Sequence, residues 1–199
     1  MKKIIFALSL MMACATAFAQ TAKSVLDKTA SAISNPNGMT ADFKMSGGMG
    51  NVSGTIAVKG KKFNATTSLA TVWFDGKTMW TYMKKNEEVN VTTPNESQLQ
   101  RINPYNFINI YKSGYDMTMS QAQTTYTVHL TAQSQNGKMI QELFITVDKK
   151  SYHPTQVKML QGKKWTTFDI SSLKAQKLAD STFTFNSKDF PSAEVIDLR

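Results

Sequence analysis

The chain has 199 residues, 41% of them hydrophobic, and a formal net charge of +9. That length suits one domain with a substantial core. One cysteine (Cys14) and two histidines (His129 and His153) exclude an internal disulfide and leave little for a thiolate nucleophile or a metal centre.

Lys2 and Lys3 open the chain, an apolar run follows from Ile4 to Met12, and Ala17 and Ala19 flank Phe18. This is the pattern of a cleavable export signal, with cleavage after Ala19 and Gln20 as the first mature residue. The apolar run is shorter than the roughly 20 residues that span a bilayer. Lipidation at Cys14 is the rival reading. The residues before it, Met11-Met12-Ala13, are a poor match for that modification, and those after it remain signal-like. Removing residues 1–19 takes away two lysines and no acid, which leaves +7 and no cysteine. The predicted layout is therefore a signal at 1–19 and one exported domain at 20–199. Its lysines lie in ones and twos along strand-like segments. No basic helix or stacking motif points to nucleic acid, and the charge reads as a solvated face or one that meets anionic surfaces.

From Lys23 to Ser34 the spacing is helical, with Val25, Thr29, Ala32 and Ile33 on one side, and Asn35-Pro36-Asn37-Gly38 ends it. Period-two strands follow. Ala41, Phe43 and Met45 alternate with polar neighbours, as do Val52, Gly54, Ile56 and Val58, and then Phe63, Ala65, Thr67 and Leu69. Asp75-Gly76 centres a hairpin. Beyond it Trp80 and Tyr82 share one face and Met79 and Met83 the other, with either face open to burial. Val89 and Val91 continue the sheet.

The period then changes. Glu96 to Ile102 reads as helical, with Asn95 as N-cap facing Gln98. Asn103-Pro104 starts a second helical piece carrying Phe107, Ile108 and Tyr111, which Ser113-Gly114 closes. Strands resume through Met117 and Met119, then Tyr126 to Leu130, Met139 to Val147, Val157 to Met159 and Trp165 to Ile170. The tail holds Phe183, Phe185 and Phe190-Pro191 before Val195 to Leu198. About ten strands with so little helix imply a sheet that curls or closes. Helices across its mouth would cover an apolar hollow.

No HExxH, GxSxG, P-loop or dinucleotide fingerprint occurs. His129 alternates outward with Thr127 and Thr131, and His153 precedes Pro154 in a turn. No enzyme, cofactor or metal is expected. Without the signal the chain keeps nine Met and nine Phe, a soft apolar stock that suits either core filling or an adaptable hydrophobic site.

Three stretches resemble the outer-membrane lipoprotein carriers, the LolA-like family. They are Phe74-Asp75-Gly76-Lys77-Thr78-Met79-Trp80-Thr81-Tyr82, the insert ending in Asn103-Pro104-Tyr105-Asn106-Phe107-Ile108, and Phe183-Thr184-Phe185 through Phe190-Pro191 to Val195-Ile196-Asp197. In order, they cover essentially the whole mature chain. The resemblance implies a mainly β fold: a strongly curved, incompletely closed antiparallel β-barrel with an N-terminal helix and a short helical lid. It implies a periplasmic monomer that holds the acyl chains of lipoproteins in a hydrophobic cavity. The partners would be an inner-membrane releasing transporter, outer-membrane lipoproteins as cargo, and an outer-membrane acceptor. A periplasmic binding protein or sensor of the same fold for other lipids or glycolipids, and an envelope protein with a filled core, are the alternatives.

Candidate cavity residues on the strands are Phe43, Ile56, Val58, Phe63, Trp80, Tyr82, Val89, Met117 and Met119. Those of the lid are Leu99, Ile102, Phe107, Ile108 and Tyr111. The family's Arg-Pro after Val-Lys is missing, since Gly60-Lys61-Lys62 follows Val58-Lys59. Lys61 or Lys62 is the candidate substitute for the arginine that latches the lid, though without its planar fork.

Overall fold

The computed structural model describes residues 20–48, 50–95, 98–99, 109–112, 114–134 and 140–199. Helix α1 (Ala22–Ile33) begins where Thr21 caps it, the Thr21 hydroxyl accepting from the Ser24 amide at 3.1 Å. Twelve strands follow in chain order: β1 (Met39–Gly47), β2 (Val52–Lys59), β3 (Lys62–Thr67), β4 (Ala70–Phe74), β5 (Met79–Met83), β6 (Glu88–Thr92), β7 (Tyr115–Gln121), β8 (Thr125–Ala132), β9 (Glu142–Asp148), β10 (Pro154–Gln161), β11 (Lys164–Ala175) and β12 (Glu194–Asp197). They form one sheet in the order β12-β6-β5-β4-β3-β2-β1-β11-β10-β9-β8-β7. Every neighbouring pair is antiparallel except β12 with β6. The fold is thus mainly β, a curved sheet not closed into a barrel.

Local chemistry sets the joints. The Asp75 carboxylate accepts from the Lys77 and Thr78 amides at 2.8 and 2.7 Å, and Gly76 takes φ 103° between them. This is the turn that Asp-Gly announces. The chain leaves β3 at Thr67, so Leu69 is a 64% exposed turn residue and does not continue that strand.

Residues directly opposed on neighbouring strands share a face of the sheet. In one direction the register joins Met39, Val58, Phe63, Phe74, Met79 and Thr92. In the other it joins Met45, Phe168, Val157, Ile145, Val128 and Met119. All of these lie on one face, called inner here. α1 packs on its β7–β8 end, where Val25 and Leu26 join a cluster with Val128, Leu130, Leu143 and Ile145. A second cluster at the other end unites Met39, Val58, Phe63 and Phe74.

The connection from Thr92 to Tyr115 joins the second strand of the order to the last, ten spacings away. A flat sheet would place those strands about 48 Å apart. The connection is described at both of its ends, which lie on the inner face. Its described parts rest on both ends of that face: Leu99 on the second cluster, Ile110 and Tyr111 on the first. The segment after β11 crosses the opposite, outer face and ends as β12.

Candidate functional site

Around its two buried clusters the inner face carries apolar side chains that are only partly covered. Phe43 and Ile56 on β1 and β2, Val72 and Met79 on β4 and β5, Met117 and Met119 on β7, and Phe168 and Ile170 on β11 are all partly exposed. Gly54 stands directly opposite Phe43, and a Cβ there would lie 2.2 Å from the Thr66 carbonyl oxygen and 3.0 Å from Cζ of Phe43. The glycine thus lets β3 and the Phe43 ring close in on β2.

Of the residues singled out in the sequence, Phe43, Ile56, Val58, Phe63, Met117 and Met119 all stand on this face. Val58 and Phe63 are buried. Leu99 and Tyr111 approach it from the connection above. The Asn95 cap is as its spacing predicts: Gln98 N donates to Asn95 Oδ1 at 2.9 Å, and Asn95 N donates to Gln98 Oε1 at 2.8 Å. Ile102, Phe107 and Ile108 lie outside the described residues.

Trp80, Tyr82 and Val89 belong to the other face. Trp80 opposes Trp73 and Val91, and Tyr82 opposes Val89. Alternation puts all five on the side away from Met79. There the C-terminal segment covers them: Phe190 lies 4.7 Å from Tyr82 and 5.5 Å from Trp73, ring centre to ring centre, and Phe185 lies 5.6 Å from Trp73. The sheet is therefore covered on both sides around β4–β6, and these aromatics fill a core. The Phe-x-Phe tail is the signal that could have shown this, since two rings spaced along an irregular segment need a surface to cover.

Lys62 faces the C-terminal segment. Its Nζ lies 3.2 Å from Asp180 Oδ2, while Lys59 Nζ reaches Asp180 Oδ1 at 3.1 Å and donates to the Leu178 carbonyl at 3.0 Å. The two ammonium groups hold the Asp180 carboxyl below its ordinary range through their hydrogen bonds. Lys61 is exposed and, among the described residues, forms no ion pair. The tie seen between the connection and the rest of the fold comes from Tyr111, whose hydroxyl donates to Asp27 Oδ1 of α1 at 2.5 Å. Burial, and then that hydrogen bond, push the Tyr111 hydroxyl up to about 12. Hydrogen bonds from Lys23 and then Tyr111 hold the Asp27 carboxyl below the usual range.

His129 faces outward, stacked on Phe144 at 4.0 Å with Nε2 3.0 Å from Glu142. Among the described residues no group of three His, Cys, Asp or Glu side chains could hold a metal ion. No described helix is long and apolar enough to cross a membrane.

A single curved, unclosed sheet with a partly exposed apolar inner face and a helix packed at one end defines the fold class. The chain belongs to the outer membrane lipoprotein carrier protein LolA family, whose model matches residues 12–163. Among solved structures it is similar to an uncharacterised conserved protein from Thermus thermophilus, with 10% identity over 88% of this chain and 98% of that one and a TM-score of 0.60. It is also similar to a LolA superfamily protein from Nitrosomonas europaea (13% identity, 83% and 98% covered, TM-score 0.44). A third is the Mycobacterium tuberculosis lipoprotein LppX (9% identity, 79% and 98% covered, TM-score 0.45). No curated protein matches the chain.

Proposed function

We propose that this protein is an exported, non-enzymatic carrier that takes the acyl chains of lipoproteins onto its inner face and moves them through the periplasm. Residues 1–19 would be its removed signal. It would load from an inner-membrane releasing transporter and deliver to an outer-membrane acceptor. The observation that carries this reading is the set of half-exposed apolar side chains on the inner face, Phe43, Ile56, Val72, Met79, Met117 and Met119, beside the two buried clusters. Each methylene moved from water onto such a face gains about 0.8 kcal/mol. A carrier must also let go, and a face left partly open to its cargo favours release. Family membership supports the same reading.

The test is photocrosslinking in cells. A photoreactive residue at Met79 or Phe43 captures lipoproteins, identified by mass spectrometry of the adducts, while one at Thr118, on the outer face of β7, does not. Adducts containing only phospholipid would transfer the proposal to a carrier of other lipids. Absence of any adduct at both inner positions would reject an open apolar face.

A further inference from the structure

β6 buries its apolar residues on the opposite side of the sheet from β1, β2 and β3. Its apolar residues, Val89 and Val91, are buried on the outer face, so Glu88, Asn90 and Thr92 point inward. In the register Thr92 opposes Met79 and Asn90 opposes Thr81. The apolar inner face therefore ends, along β5 and β6, in a strip of Thr81, Asn90 and Thr92. Thr92 is the last residue of β6. Its Oγ1 is buried, and among the described residues it has no hydrogen-bond partner. It is the one buried side-chain polar atom of the described residues left in that state.

A buried hydroxyl without a partner costs stability. Many threonine hydroxyls in this chain do find one. Thr29 donates to the Val25 carbonyl at 2.9 Å, and Thr67 to the Ala70 carbonyl at 3.1 Å. Valine has the shape of threonine and would fill the Thr92 site without that cost. A hydroxyl kept at the margin of an apolar face, beside an amide and a second hydroxyl, suits a ligand that is apolar along most of its length and carries an acceptor at one end.

We infer that the Thr81–Asn90–Thr92 strip is the polar end of the binding face, and that the Thr92 hydroxyl donates to an acyl carbonyl of the ligand. This rests on the carrier reading and adds where the ester end of the cargo lies, at β5–β6. The chemistry recognised is an acyl ester or amide, as opposed to a hydrocarbon chain alone.

The test uses a 1,2-diacylglycerol and the matching 1,2-dialkyl ether, which lacks the carbonyls. Each displaces a hydrophobic fluorescent dye from wild-type protein, Thr92→Val and Thr92→Ser. The wild-type protein is expected to bind the ester more tightly than the ether. Thr92→Val loses about fivefold in ester affinity, the size of one hydrogen bond, and keeps its ether affinity. Thr92→Ser retains the preference, and ligand-free Thr92→Val melts at a higher temperature than wild type. An ester-to-ether ratio equal in wild type and Thr92→Val, with both probes bound, overturns this inference and leaves the carrier reading standing. Failure of both probes to displace the dye from wild type removes the carrier reading as well.

Discussion

Replacing Phe190 with Ala removes a ring from the outer face while leaving every inner-face residue in place. The Phe190 ring meets Tyr82, Trp73 and Phe185 at 4.7, 5.5 and 5.5 Å, and it is half-buried. A fully buried Phe→Ala change costs about 3–5 kcal/mol. Half burial brings that to about 2 kcal/mol, the ring contacts included. With a urea dependence of about 2 kcal/mol per molar, the unfolding midpoint falls by about 1 M. The assay follows urea unfolding by tryptophan fluorescence, in parallel with titration of a hydrophobic dye into the folded protein. Stability is expected to drop and dye affinity to stay within twofold, because Trp73 and Tyr82 are on the far side of the sheet from Met79. A several-fold loss of dye affinity at an unchanged midpoint would refute the division of the sheet into an outer core and an inner binding face.

Two other substitutions and two titrations probe the scaffold. Tyr111→Phe removes the donor to Asp27, a half-exposed carboxylate, and is expected to cost about 1 kcal/mol by urea unfolding. Asp27 titrates below its ordinary value of 3.8, so its contribution is complete above about pH 4 and is lost as pH falls through the folded-state value. Acid titration of stability should accordingly be shallower in Tyr111→Phe than in wild type. In an alkaline absorbance titration one tyrosine ionises near pH 12, and Tyr111→Phe abolishes that step. Because the raised value favours the neutral hydroxyl in the fold, Tyr111 withdraws stability between pH 10 and 12 and none below. Gly54→Ala forces a Cβ to within 2.2 Å of a backbone oxygen. It is expected to destabilise by about 1–3 kcal/mol, measured as a lower melting temperature.

Much of the fold was legible because its signals are local. The α1 periodicity, the Asp75-Gly76 turn, the Asn95–Gln98 cap and the alternation of β1, β2 and β3 all act within a few residues, and the structure follows them. The side of the sheet on which an alternating strand buries its apolar residues is not local. Val89 and Val91 alternate with Glu88, Asn90 and Thr92 as cleanly as Ile56 and Val58 alternate with their neighbours. Yet the two sets face opposite ways, because Phe183, Phe185 and Phe190, about a hundred residues further on, supply a second cover. The same long-range packing explains Lys62: its partner, Asp180, lies far along the chain. Trp80, Tyr82 and Val89 thus read as cavity residues from sequence and prove to be core once the tail is placed.

The division of labour between the faces also bears on how a carrier of this shape would keep its form while its cargo changes. The outer cluster around Trp73 and the two inner clusters are packed from the protein's own side chains. The partly exposed residues of the inner face include Phe43, Met79, Met117, Met119 and Phe168, with three methionines among the five. Methionine side chains re-pack at small cost, so different acyl chains could be accommodated there without moving the backbone. The described ends of the connection are held by Tyr111, buried in the first cluster and bonded to Asp27 of α1, and by Leu99 on the second cluster, so both are anchored in packed core.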